Sequence, residues 1–156
     1  MSIRTMVVAI ALAVAARGAG AQEVDRTLPS QLSAPTRATL ERLIDSARVA
    51  GLPVDPLYSK VREGVFRSAD EARVIAAVQR LERDLGDARS SLGDSTSAEE
   101  ITAGANALRA GIRAADLAKL REARGPKANR PLTVALVVLA DLATRGVPPA
   151  MAAASV

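Results

Sequence analysis

Apolar residues recur along most of the chain at the three- and four-residue spacing of helices, and glycines interrupt them. Between 35 and 50, Leu40, Leu43, Ile44 and Ala47 fall at i, i+3, i+4 and i+7, which predicts a first long helix. Gly51 stops it, and Leu52 is placed to fold back on the last turn. The stretch 51–64, GLPVDPLYSKVREG, reads as one short helix between two glycine stops. Asp55 is its expected cap, Pro56 its first residue, and Leu57 and Val61 share its inner face. Gly64 is the expected left-handed stop.

A capping box, Ser68 with Glu71, then opens a helix predicted to reach 92. Its seam is Val74, Val78, Leu81, Leu85, Ala88 and Leu92, and Gly86 is a candidate kink. A second box, Ser97 with Glu100, opens a fourth helix with a narrow face of Ile101, Ala105 and Leu108. After Gly111 a short helix at 114–123 buries Leu117 and Leu120. Pro131 opens the most apolar stretch, PLTVALVVLADLATRG. Its even spread of valine and leucine predicts a buried central helix over 131–145, with a buried strand TVALVVL as the alternative. Gly146 ends it, and a short C-terminal helix follows.

The expectation is an all-α fold, a small helical bundle of alternating long and short helices. The stop-and-restart at Gly51, Gly111 and Gly146 suggests a duplicated long-helix, short-helix unit; the alternative is that helix ends obey one rule everywhere.

The N-terminus changes the picture of where this domain works. Arg4 precedes an unbroken apolar run over 6–16, and Ala19 and Ala21 supply small residues at the positions a signal peptidase reads. The run is shorter than the roughly 20 apolar residues of a membrane span. Residues 1–21 are therefore expected to be a signal peptide, with an uncleaved anchor as the alternative, and the mature chain to be periplasmic or secreted, with no transmembrane span. Residues 22–34 read as a flexible leader and 35–156 as a single helical domain. Tyr58 and Phe66 are the only aromatic residues, so the core must be built from Leu, Val, Ile and Ala. Charge is uneven: residues 22–100 carry 11 basic and 14 acidic side chains, and residues 101–156 carry 8 and 3.

Candidate chemistry is sparse. The chain has no histidine and no cysteine, so histidine-based triads, thiol catalysis, thiolate metal sites and disulfides are excluded. No glycine-rich phosphate loop appears. The carboxylate pairs Asp70–Glu71 and Glu99–Glu100 sit in helix first turns, where capping accounts for them. The oxygen-rich run Asp94 to Glu100 lacks the order of a calcium loop. No enzyme activity, cofactor or metal is expected, and without interleaved aromatics no nucleic acid. The densest positive charge is Lys119, Arg121, Arg124, Lys127 and Arg130, a candidate partner-binding set for anionic lipid or polysaccharide. The leading expectation is a non-enzymatic helical binding or assembly protein of the cell envelope. Its apolar seam would take a protein partner or a second copy.

Overall fold

The structure, a computed structural model, describes residues 25–94, 96–125 and 131–147. These form an all-α bundle of six helices: α1 (Ala34–Val49), α2 (Asp55–Phe66), α3 (Glu71–Leu92), α4 (Ala98–Arg109), α5 (Ala114–Arg124) and α6 (Thr133–Thr144). Among the described residues there is no strand, so TVALVVL is helical. No helix of the described residues is long and apolar enough to cross a membrane. The signal-peptide reading and the C-terminal helix beyond Val147 lie outside the described residues.

The longest helix is the hub. α3 packs against α1, α2, α4 and α5, and all six residues of its predicted seam are buried. The core has two parts, and α4 stands between them. Ile101 and Ala105 of α4 join the first, with Leu40, Ile44, Leu57 and Leu85. Ala103 and Ala107 join the second, with Leu117, Leu136 and Leu139. A helix buried on two sides must be slim, and α4 is built from alanine and glycine where it counts. A Cβ added to Gly104 would lie 2.9 Å from Leu92 Cδ1 and 3.1 Å from the Ala88 Cβ, so glycine is what lets α3 and α4 approach here.

This corrects the expectation for the most apolar helix. α6 is peripheral, with its main contact on α4. It buries Leu136 and Leu139, preceded by Leu132, and turns Val134, Val137 and Val138 outward. Its composition would suit a buried position, but the small residues of α4 suit the middle better.

Helix ends follow local rules with three exceptions. After α1, α4 and α6 the same cap recurs. Gly51, Gly111 and Gly146 have positive φ, and the N–H groups of Leu52, Ile112 and Val147 donate back to the carbonyls of Ala47, Ala107 and Leu142 at 2.9–3.0 Å. The first exception is α2, which does not stop at Gly64. That glycine is inside the helix, and a Cβ there would lie 2.7 Å from Val74 Cγ2, so it serves close approach to α3. The left-handed residue is Ser68 (φ 52), with Ala69 N–H donating to the Gly64 carbonyl at 3.0 Å. At the other end of α2, Asp55 lies in the first turn rather than capping it, and pairs with Arg26 at 2.7 Å.

The second exception is the Ser68–Glu71 box. Asp70 caps α3 instead, accepting from Arg73 N–H at 2.9 Å. Glu71 reaches across to the start of α1, accepting from the Ser33 N–H (2.7 Å), the Ser33 hydroxyl (2.6 Å) and the Thr36 hydroxyl. Those hydrogen bonds hold its carboxyl below the usual carboxylate range. The third exception is Gly86, where α3 runs on without a break. Nothing lies within 4 Å of a Cβ added there. Gly86→Ala is expected to raise stability by about 0.5–1 kcal/mol, seen as a higher urea midpoint at unchanged slope.

Part of the segment before α1 packs on the bundle. Leu32 is buried in the first core, Leu28 packs beside it, and Arg62 donates to the Asp25 carbonyl. Ser33 is the cap of α1.

Candidate functional site

Three of the five predicted basic residues are among the described residues. Lys127 and Arg130 lie outside the described residues. Lys119, Arg121 and Arg124 are all on α5, but two of them are directed at acids. Asp116, buried in the first turn, is held by the Arg113 guanidinium at 2.8 and 2.9 Å, with the Lys119 ammonium at 3.7 Å. The Arg113 hydrogen bonds pull the Asp116 carboxyl below its usual range. Arg124 turns inward to Glu100, 2.9 Å away, and Arg121 extends over Gly93.

Glu100 is the polar residue the sequence undervalued. The Ser97–Glu100 capping box is present: the Ser97 hydroxyl accepts from Glu100 N–H, and Glu100 Oε2 accepts from Ser97 N–H, both at 3.2 Å. Yet the residue is 3% exposed, and Oε1 has two further donors. One is Arg124 at the end of α5, the other the Leu132 N–H at 2.6 Å, which opens α6. α6 has no side-chain cap of its own, so Glu100 supplies one from α4. One carboxylate thus ties the start of α4, the end of α5 and the start of α6 together. Its partners lie 24 and 32 residues away, beyond the reach of any local motif.

The other acids singled out in the sequence have structural positions too. Asp70 caps α3 and Glu71 holds α1. Glu99 lies in the first turn of α4, where hydrogen bonding lowers its carboxyl. Among the described residues no three acids, cysteines or histidines are grouped to hold a metal ion.

The fold leaves an apolar stripe uncovered on α6. On α6, Val134, Val137 and Val138 are 73, 55 and 42% exposed, spaced i, i+3, i+4. Asp141 and Arg145 continue the same face as an ion pair at 2.8 Å. The sequence signal was present, since α6 has more large apolar residues than one inner face can use. It was read as burial on all sides. Compared with known protein families, with curated proteins and with solved structures, the chain matches none.

Proposed function

We propose that this chain is an exported, non-enzymatic binding or assembly protein of the cell envelope, and that the valine stripe of α6 is where it holds a protein partner. The observation that carries this reading is the exposure of Val134, Val137 and Val138 on a peripheral helix. β-branched side chains at i, i+3 and i+4 form half of a helix–helix contact, and an amphipathic partner helix supplies the other half. The Asp141–Arg145 pair at one end of the stripe provides a polar edge that fixes orientation. The N-terminal Arg4, apolar run and Ala19/Ala21 pattern supports export.

A photo-cross-linking side chain at position 137, in cells making the full chain, tests this. One adduct of defined mass is expected. Val134→Asp with Val138→Asp should lower its yield roughly tenfold or more, since unpaired charge is costly in an apolar contact. An adduct of twice the chain mass would make the partner a second copy. Absence of any specific adduct would end the reading.

The alternative, peripheral binding of anionic lipid or polysaccharide through residues 119–130, has weaker support. Of its three described cations, Lys119 and Arg124 already face Asp116 and Glu100.

We further propose that the stops at Gly51 and Gly111 come from a duplicated long-helix, short-helix unit, α1–α2 with 16 and 12 residues and α4–α5 with 12 and 11. In its support, Gly51 and Gly111 each precede by six residues a leucine with no exposed surface, Leu57 and Leu117. An experimental structure in which the α1–α2 and α4–α5 pairs cross differently would remove this ascription.

A further inference from the structure

The fold gathers positive charge on a face that no single stretch of sequence advertises. Along α3, Arg73, Ala76, Ala77, Arg80 and Arg83 follow at intervals of three, one, three and three, which places them on one side of the helix. From Arg73 to Arg83 is ten residues, about 15 Å of helix. α2 contributes Lys60 from one flank and α4 contributes Arg109 from the other. Together they line a groove of about 460 Å³ whose floor is alanine and whose lining includes no carboxylate.

The five cations are not equally engaged. Lys60 pairs with Glu63, and Arg73 pairs with Asp70 at 3.0 Å between two exposed side chains. Arg80, Arg83 and Arg109 have no ion pair or hydrogen bond among the described residues. A carboxyl that feels all three, Asp84, is half-buried and leaves Oδ2 without a hydrogen bond. Burial raises its pKa, against the pull of Arg109, Arg80 and Arg83. Three guanidinium groups from two helices therefore converge on one groove without an ion pair or hydrogen bond to a described residue.

The lining also says which anion fits. A guanidinium offers a planar fork of donors that matches two oxygens of a phosphate. Apart from Gln79, no lining side chain can accept a hydrogen bond, so sugar hydroxyls have little to donate to. No aromatic ring lines the groove, so a base or sugar face has nothing to stack on. The length along α3 admits more than one phosphate group.

We propose that this groove is a binding site for a ligand carrying two or more phosphate groups, held by Arg80, Arg83 and Arg109 with Lys60 and Arg73 at its ends. The site lies on α2, α3 and α4, separate from the valine stripe on α6, and does not depend on that stripe having a partner. Two sources present the same chemistry: a soluble oligophosphate, or neighbouring phospholipid headgroups at a membrane surface.

Amide-resolved NMR of the full-length chain at low salt tests it. One arm uses inorganic tripolyphosphate. The other uses sedimentation with vesicles of phosphatidylglycerol and phosphatidylcholine, or of phosphatidylcholine alone. Tripolyphosphate is expected to shift amides across 73–83 and at 109. The variant Arg80→Gln/Arg83→Gln/Arg109→Gln should weaken binding tenfold or more. Arg37→Gln/Arg42→Gln/Arg48→Gln on α1 removes the same charge and should weaken it less than threefold. The single exposed change Arg80→Gln should produce a smaller loss at unchanged helix content. Binding to phosphatidylglycerol vesicles without tripolyphosphate binding assigns the site to headgroups. No binding in either arm, or equal losses from the two triple variants, overturns the proposal.

Discussion

Glu100→Ala is expected to destabilise the domain by about 3 kcal/mol, the lower end of the cost of breaking a buried ion pair. Glu100 is 3% exposed, and its removal takes an acceptor from the Arg124 guanidinium and from the buried Leu132 N–H. Arg124 can move its guanidinium toward water, because 28% of that side chain is exposed, and this holds the loss to the lower end. The Leu132 N–H has no such escape. It is a helix N-terminal donor whose acceptor, 2.6 Å away, comes from another helix. The capping box at Ser97 is lost in the same change. Urea unfolding of Glu100→Ala, Arg124→Ala and the double variant separates the parts. The double variant should be less destabilised than the sum of the singles, because both single changes remove the same ion pair. Additive losses would mean that the pair is not coupled. A loss below about 1 kcal/mol would put Glu100 in the class of ordinary surface acids.

Leu85→Ala should cost about as much by a different route. Leu85 has no exposed surface and sits in the first core, on the helix that α1, α2, α4 and α5 all touch. Truncating a buried leucine loses the transfer free energy of its methyl and methylene groups and leaves a cavity, together 2–5 kcal/mol in cores of this kind. Collapse around the cavity is resisted here. Its neighbours in the first core lie on several helices, and with small residues such as Ala88 and Ala105 among them there are few long side chains to move in. A value of about 3 kcal/mol is expected from urea unfolding at constant slope. Less than 1 kcal/mol would mean that the α3 seam is loosely packed.

The two variants test different joints. Glu100 fixes how α4, α5 and α6 meet, whereas Leu85 fixes α3 against the first core. Both act on the scaffold that positions the α6 stripe and the α3 groove. A partner or phosphate ligand that binds only the folded state should raise the urea midpoint of either variant.

Much of the scaffold was legible because it rests on short-range physics. The seam of α3 needs only a repeat of three and four residues, and Val74 to Leu92 are buried as that repeat requires. The caps at Gly51, Gly111 and Gly146 need only a residue that tolerates positive φ and an apolar residue after it. The Ser97–Glu100 box closes within four residues. Where the local reading failed, the same residue had a stronger use elsewhere. Gly64 looked like a stop and is a point of close approach to Val74. Glu71 looked like a partner for Ser68 and holds Ser33 and Thr36, 38 and 35 residues away.

By itself the sequence determined the six helices of the described residues, where most of them begin and end, and the absence of any histidine or cysteine chemistry. Such features are set by interactions within a turn or two, and those are written in neighbouring letters. Tertiary structure decided which helix lies in the middle, and it chose slim α4 over oily α6 because bulk in the centre would have kept the other helices apart. It also decided that Arg124 turns inward while Arg80, Arg83 and Arg109 share a groove. Charges far apart along the chain acquire a common field only once packing fixes the distance between them.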